Sequence, residues 1–435
     1  MRKLLCVVLL GMVGWLPRPA RAMDIDGDPI NYTNAKANNA VSCLQERIAT
    51  AKAKLVFHDK FGFLPAILGE LGVPRSSQML VFSKTSLQHY RIGPQKPRSI
   101  FFNDETYVGF CQCGDVLELS TVDPQLGIVF YTLDQRACDK PRFTRHQGEC
   151  LTCHRSSEGL PGNLIRSVYP DAEGYGILSA GSFRVDQSTP LEQRWGGWYV
   201  TGTSGKQRHL GNLTFEKGRQ TKEIDNSAGI NVLDLRGRFE SASYLSLQSD
   251  IVALMVHEHQ TEMHNRIIRA NFLTRMALYE EAQLNKALGR PLDYRSESTP
   301  SRIKHAGEPL VKYMLFSGET RLTSKIQGTS EFASEFVGRG PRDKLGRSLR
   351  DFDLEHRCFK YPCSYLIYSA SFNALPVPVK DYVERRLWNV LSGEDTSDEF
   401  AHLTAADRRA ILEILVATKP DLPDYWKLSS KREDP

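Results

Sequence analysis

Hydrophobic and polar positions change rhythm along this chain, and each rhythm predicts a different kind of element. Between residues 78 and 131 the apolar positions come in short β-branched or aromatic runs: Met79-Leu80-Val81-Phe82, Ser99-Ile100-Phe101-Phe102, Tyr107-Val108-Gly109-Phe110, Val116-Leu117-Glu118-Leu119 and Gly127-Ile128-Val129-Phe130-Tyr131. Asn103-Asp104 and Asp123-Pro124 punctuate them, so strands joined by tight loops are expected. From residue 250 to 283 the period lengthens. At about 100° per residue, Val252, Val256, His259, Met263, Ile267 and Ala270 share one apolar face, with Met255 and Leu273 at its edge. Residues 34–54 are also helical in pattern, with Val41, Leu44, Ile48 and Ala51 at helical spacing. A polar stretch over 291–300 reads as a linker. Beyond it, helices are expected over 305–316, 330–337, 379–391 and 405–417. Thr404 and Asp407 stand at capping-box spacing at the start of the last helix, and Pro420 stops it. The fold class that follows is α+β: a small antiparallel sheet and a loop-rich segment over 142–212, packed with a mainly helical C-terminal half. The division is drawn at 23–240 and 241–435.

The N-terminus changes the meaning of the composition. Arg2 and Lys3 precede an apolar run over 4–16, and Ala20-Arg21-Ala22 follows as a small-x-small cleavage site, the pattern of a secretory signal removed after Ala22. The run is short for a bilayer, and Cys6 lies inside it rather than at its end, which argues against a lipoprotein anchor. No later segment offers eighteen consecutive apolar residues. The mature chain is therefore expected in the periplasm or outside the cell, with no membrane span. Four cations leave with the signal, so the formal charge of +5 falls to about +1, and no pull toward nucleic acid follows. An apolar content of 41% is ample for two or three domain cores.

The chemistry concentrates in Cys150-Leu151-Thr152-Cys153-His154, the C-x-x-C-H pattern of covalent haem attachment. Each thiol adds to one vinyl edge of the porphyrin, and the following imidazole lies where it can bind iron. With nine Cys and eleven His in 435 residues, chance produces this pattern about 0.005 times per chain, which sets coincidence aside. A thioredoxin-like redox pair would sit near a βαβ pattern, and a zinc site would need a second ligand pair downstream; neither is visible. At this motif the chain resembles the c-type cytochromes, as a large single-haem bacterial type. The resemblance covers only the motif and its surroundings, and it implies one covalent haem c with His154 as proximal ligand. More than a hundred residues precede the motif, unlike the small mitochondrial-type proteins, where it lies near the mature N-terminus.

Around the motif, Arg142, Arg145 and Arg155 are candidates for the haem propionates, and Arg194-Trp195-Gly196-Gly197-Trp198-Tyr199 for a pocket wall or plain core. For the sixth iron position His259 is the leading candidate, a histidine in the middle of an apolar stripe. His264 and His209 follow, then His257, Met255, Met263 and His146, or an open site. His257-Glu258 begins like a zincin motif, but Thr261 stands where its second histidine belongs. Of the other mature cysteines, Cys358 and Cys363 are expected to pair locally, while Cys111 and Cys113, read as sharing one face of a strand, would pair elsewhere, with Cys43 and Cys138 as partners. A C-x-C copper site is the sharper alternative. Three functions remain open. The first is exported electron transfer through a single iron with an unknown redox partner protein. The second is a mono-haem enzyme or small-ligand sensor with an open sixth site, peroxidase-like in character. The third is a scaffold that merely carries haem.

Overall fold

The aromatic and β-branched runs pair in chain order in this computed structural model, which describes residues 23–156, 158–216 and 224–429. The expected signal over residues 1–22 lies outside the described residues. Strands β1 (Met79–Val81), β2 (Arg98–Phe102), β3 (Thr106–Phe110), β4 (Val116–Asp123), β5 (Gly127–Asp134) and β6 (Phe143–His146) join β9 (Trp198–Tyr199) in one antiparallel sheet of order β6-β5-β4-β3-β2-β1-β9. Strands β7 (Arg166–Val168) and β8 (Ser182–Arg184) form a separate hairpin. The β4–β5 turn depends on Gly127, whose φ is +70° and whose missing Cβ would lie 2.8 Å from the Ile268 side chain. Only glycine meets both conditions without strain.

Side chains that pair across strands share a face. On one face the register aligns Phe101, Val108, Leu119 and Tyr131. This apolar row packs with Val41, Leu44 and Ile48 of α1 (Ala40–Ala49) and with Leu64, Ile67 and Leu68 of α2 (Leu64–Glu70). On the other face the aligned row is Phe102, Tyr107, Ser120, Phe130 and His146. Its mixed chemistry marks this side as the one that carries polar contacts.

The long helix α4 (Ile251–Ala287) crosses that second face, after the short helix α3 (Glu149–Cys153). Asp250 caps α4 by accepting from the Val252 N–H at 2.8 Å, and its other oxygen accepts from the Thr329 and Ser330 N–H groups and the Ser330 hydroxyl. Periodicity predicts one buried stripe, but residues 251–264 are buried on every side. The helix lies between two cores. Ile268 and Phe272 join the core of the sheet's first face, whereas Val252, Val256, Met263 and Ile267 join that of the helical half. The polar stretch over 291–297 turns the chain back along α4 as α5 (Ser298–Met314), and the helices α6 (Phe332–Gly338), α7 (Ala370–Asn373), α8 (Val377–Leu391), α9 (Ala405–Thr418) and α10 (Tyr425–Ser429) complete the mainly helical half. The capping box expected at Thr404 and Asp407 is present. Among the described residues no helix is long and apolar enough to cross a membrane.

Candidate haem-attachment site

The five-residue motif folds as a single helical turn. Helix α3 puts Cys150 and Cys153 three residues apart on one side, and the His154 N–H closes the turn on the Cys150 carbonyl at 2.9 Å. Cys150 is half-buried and Cys153 exposed, so the pair runs from the protein interior to its surface. Burial pushes the Cys150 thiol up to about 11, which keeps it protonated. Leu151, between them, points into the sheet core and anchors the turn.

His154 is held by Gly162 from both sides. The Gly162 N–H donates to the His154 carbonyl at 2.9 Å, and the Gly162 carbonyl lies 3.2 Å from His154 Nδ1. A carbonyl can only accept, so Nδ1 carries the proton and Nε2 keeps its lone pair. A Cβ at position 162 would stand 2.6 Å from Asn265 Oδ1 on α4, so any larger residue there would push the Asn265 side chain aside. The ring rests on Phe130 at 4.8 Å, and burial lowers its basicity, leaving it neutral. A neutral imidazole with Nδ1–H bonded to a backbone carbonyl is the form that ligates metal through Nε2. The donor set therefore fits a thioether-bonded haem: two thiols on one turn and an oriented, neutral imidazole directly after them.

Two residues beside this ring escape notice in the sequence. Arg98 lies flat across Gly109 and pairs with Glu118 at 2.7 Å; a Cβ on Gly109 would come within 2.2 Å of its Nη2. Both charges act on the His154 ring. A glycine inside a strand-like run marks a place of close approach, and that was the available signal. The arginines singled out from the sequence behave differently. Arg145 is spent on the Tyr32 and Ala35 carbonyls, and Arg142 and Arg155 are exposed.

The sixth-position candidates separate by what their ring nitrogens already do. His259 sits fully buried in the helical core, sandwiched on Phe316 at 4.4 Å. Its Nδ1 lies 2.6 Å from Gln187 Oε1 and its Nε2 2.7 Å from Ser364 Oγ. Because an amide oxygen only accepts, Nδ1–H donates to Gln187 and the Nε2 lone pair is taken up by the Ser364 hydroxyl, as in a core histidine. His264 Nδ1 bonds the Tyr107 hydroxyl at 3.0 Å while its buried Nε2 has no partner, and His209 Nδ1 accepts from the Gly211 N–H at 3.1 Å. His146 bonds Thr132 through Nε2 at 2.8 Å. His257 alone among the buried histidines of the described residues has no hydrogen bond at either nitrogen, although Nδ1 is fully buried. Met255 and Met263 are buried in the helical core.

The remaining expectations fare unevenly. The described cysteines are all unbonded, so the expected Cys358–Cys363 bridge does not form here: Cys358 lines a small cavity with His259, Arg194 and Glu319, while Cys363 lies outside that lining. The strand ends at Phe110, and Cys113 turns with φ +53°, so Cys111 and Cys113 do not share a strand face; one is buried and the other exposed. Trp195 and Trp198 are core residues, and Trp198 also flanks His257 at 6.4 Å. Arg194 forms a buried ion pair with Glu258 at 2.8 Å, the polar centre of the helical half. No group of three or more metal-ligating side chains occurs among the described residues. No family model, curated protein or solved structure matches this chain.

Proposed function

We propose that this chain is an exported c-type haem protein that transfers electrons through one iron centre, with haem bound covalently at Cys150 and Cys153 and ligated by His154. The observation that carries the reading is the Gly162 clamp, which selects the tautomer and orientation a proximal ligand requires. A haem supplies one-electron chemistry at iron. The protein's own residues do the rest. Phe130 and Gly162 hold the His154 ring fixed, so its geometry stays the same through a change of charge nearby. Burial keeps the imidazole neutral. The exposed Cys153 and Thr152 put one side of the motif at the surface, where a partner protein can approach.

The test is spectroscopic. Protein matured with the export signal and a haem-attachment apparatus should show a haem that resists extraction into acidified organic solvent, with a low-spin, six-coordinate spectrum in both oxidation states. Cys150→Ala with Cys153→Ala should make the pigment extractable, and His154→Ala should abolish the low-spin spectrum. A colourless mature protein refutes the reading. A high-spin protein whose spectrum changes with peroxide replaces electron transfer with the enzyme or sensor.

A further inference from the structure

Helix α4 runs on past the cores it joins. Its first turns are buried on every side, but from Lys286 to Arg295 every residue is exposed, so the end of α4 and the turn into α5 project from the body. Twelve large apolar side chains stand exposed among the described residues. Four of them, Leu284, Leu288, Leu292 and Tyr294, fall on this one tip, each between 46% and 62% exposed. Leu284 and Leu288 are one helical turn apart and share a face. Apolar residues scattered singly over a surface need no explanation, whereas a cluster marks a contact.

The tip is built to hold one shape. Gly289, at φ +65°, ends α4 in a left-handed turn: its N–H donates to the Lys286 carbonyl at 3.3 Å, and the Arg290 N–H donates to the Asn285 carbonyl at 2.8 Å. Asn285, itself buried, donates from Nδ2 to the Tyr294 carbonyl at 2.9 Å. One turn back, the buried Glu281 carboxylate accepts from the Ser296 N–H at 2.7 Å and the Thr299 hydroxyl at 2.6 Å. Two buried polar side chains thus fasten residues 292–299 to the helix and fix how the leucines are displayed. A preformed surface loses little freedom on binding.

The charges around the leucines decide what the tip fits. No acidic residue occurs between Ala282 and Leu292, and Lys286 and Arg290 form no ion pair among the described residues. The Arg290 guanidinium lies 5.1 Å over the Tyr294 ring. Behind the tip Glu281 pairs with Arg295 at 3.2 Å and Glu280 with Arg302 at 2.8 Å, while Asp293 and Glu297 follow on the α5 side. Leucines at the outermost turn, long cations whose heads stay in water and a tyrosine with a polar rim suit the boundary between acyl chains and anionic headgroups. The groove beside α2, which such a tip could enter on a second copy, is flanked by Arg75 and Arg339 and would set cation against cation.

We propose that the α4–α5 tip docks the protein peripherally on an anionic phospholipid surface, with the three leucines and Tyr294 entering the interface and Lys286 and Arg290 meeting the phosphates. The contact is independent of haem. Asn265, which abuts Gly162 beside the attachment motif, lies roughly 35 Å back from Leu288 along the helix, at about 1.5 Å per residue.

The experiment is co-sedimentation of the full mature protein with vesicles of phosphatidylcholine, alone or mixed with phosphatidylglycerol. The wild type should bind the mixed vesicles and be released by salt. Leu284→Ser with Leu288→Ser should weaken binding about tenfold or more, and Lys286→Glu with Arg290→Glu should abolish the preference for phosphatidylglycerol. Leu178→Ser, at an exposed leucine elsewhere, should bind as the wild type does. Leu292→Trp keeps the tip apolar, and brominated lipid should quench its added emission, a readout that does not depend on how the serine variants fold. Absence of binding to the mixed vesicles, equal binding by the double-serine variant, or an unquenched indole overturns the proposal. A dimer in analytical ultracentrifugation that the serine substitutions dissociate replaces the lipid with a second copy.

Discussion

Gly109→Ala tests the strip of sheet beside His154 most directly. In an ordinary strand, replacing glycine by alanine stabilises by about 0.5–1 kcal/mol, because the unfolded chain loses freedom. Here the new Cβ would meet Arg98 at 2.2 Å from Nη2, 2.7 Å from Nε and 2.8 Å from Cζ. The guanidinium must swing away, and its pairing with Glu118 at 2.7 Å is lost. The two side chains are 18% and 14% exposed, between an exposed pair worth about 0–1 kcal/mol and a buried one whose rupture costs about 3–5 kcal/mol. A loss of about 2 kcal/mol follows, and after the intrinsic gain a net destabilisation of about 1 kcal/mol. In an Arg98→Ala background the obstacle is gone, so the same glycine substitution should stabilise. A double-mutant cycle measured by urea unfolding should therefore give a coupling of about 2 kcal/mol with a change of sign. If the two substitutions add within about 0.5 kcal/mol, Arg98 does not lie across Gly109 and the reasoning fails.

Two further outcomes follow from the helical half. Arg194→Met strands Glu258, which the guanidinium bonds at 2.8 Å with both side chains buried, and should cost about 3–5 kcal/mol at pH 8. Burial has already pushed the Glu258 carboxyl up to about 7. The folded state thus holds that proton more tightly than the unfolded one, and stability from it is complete below pH 4.5 and lost as pH rises through 7. The cost of Arg194→Met should shrink in thermal melts at pH 5.5, and an equal cost at both pH values refutes the account. Asp250→Ala removes the α4 cap and leaves the Thr329 and Ser330 N–H groups without their acceptor, so a loss of about 3 kcal/mol is expected. A loss under about 1 kcal/mol in denaturant titration would show that solvent replaces it.

The five strand-like runs, the helix that becomes α4 and the capping box at Thr404 were all legible in the chain, because each depends on residues within a few positions of one another. Strands β6 and β9 were not, since Phe143–His146 and Trp198–Tyr199 are too short to carry a period and exist only because an open sheet edge accepts them. The same division runs through the candidate site. The order Cys, Cys, His sets which atoms would meet a porphyrin in the proposed site, and local helix geometry places them on one turn. What each buried histidine does is a different kind of question. Periodicity singled out His259 for its place in the apolar stripe, but a stripe says only that a ring is buried, not what its nitrogens touch. Gln187 and Ser364, 72 and 105 residues away in the chain, tie that ring down, while His257, two residues away on α4's other side, has no hydrogen-bond partner. The spacing of the motif is a local property of five residues; what a buried histidine's nitrogens touch depends on partners that only tertiary packing brings together.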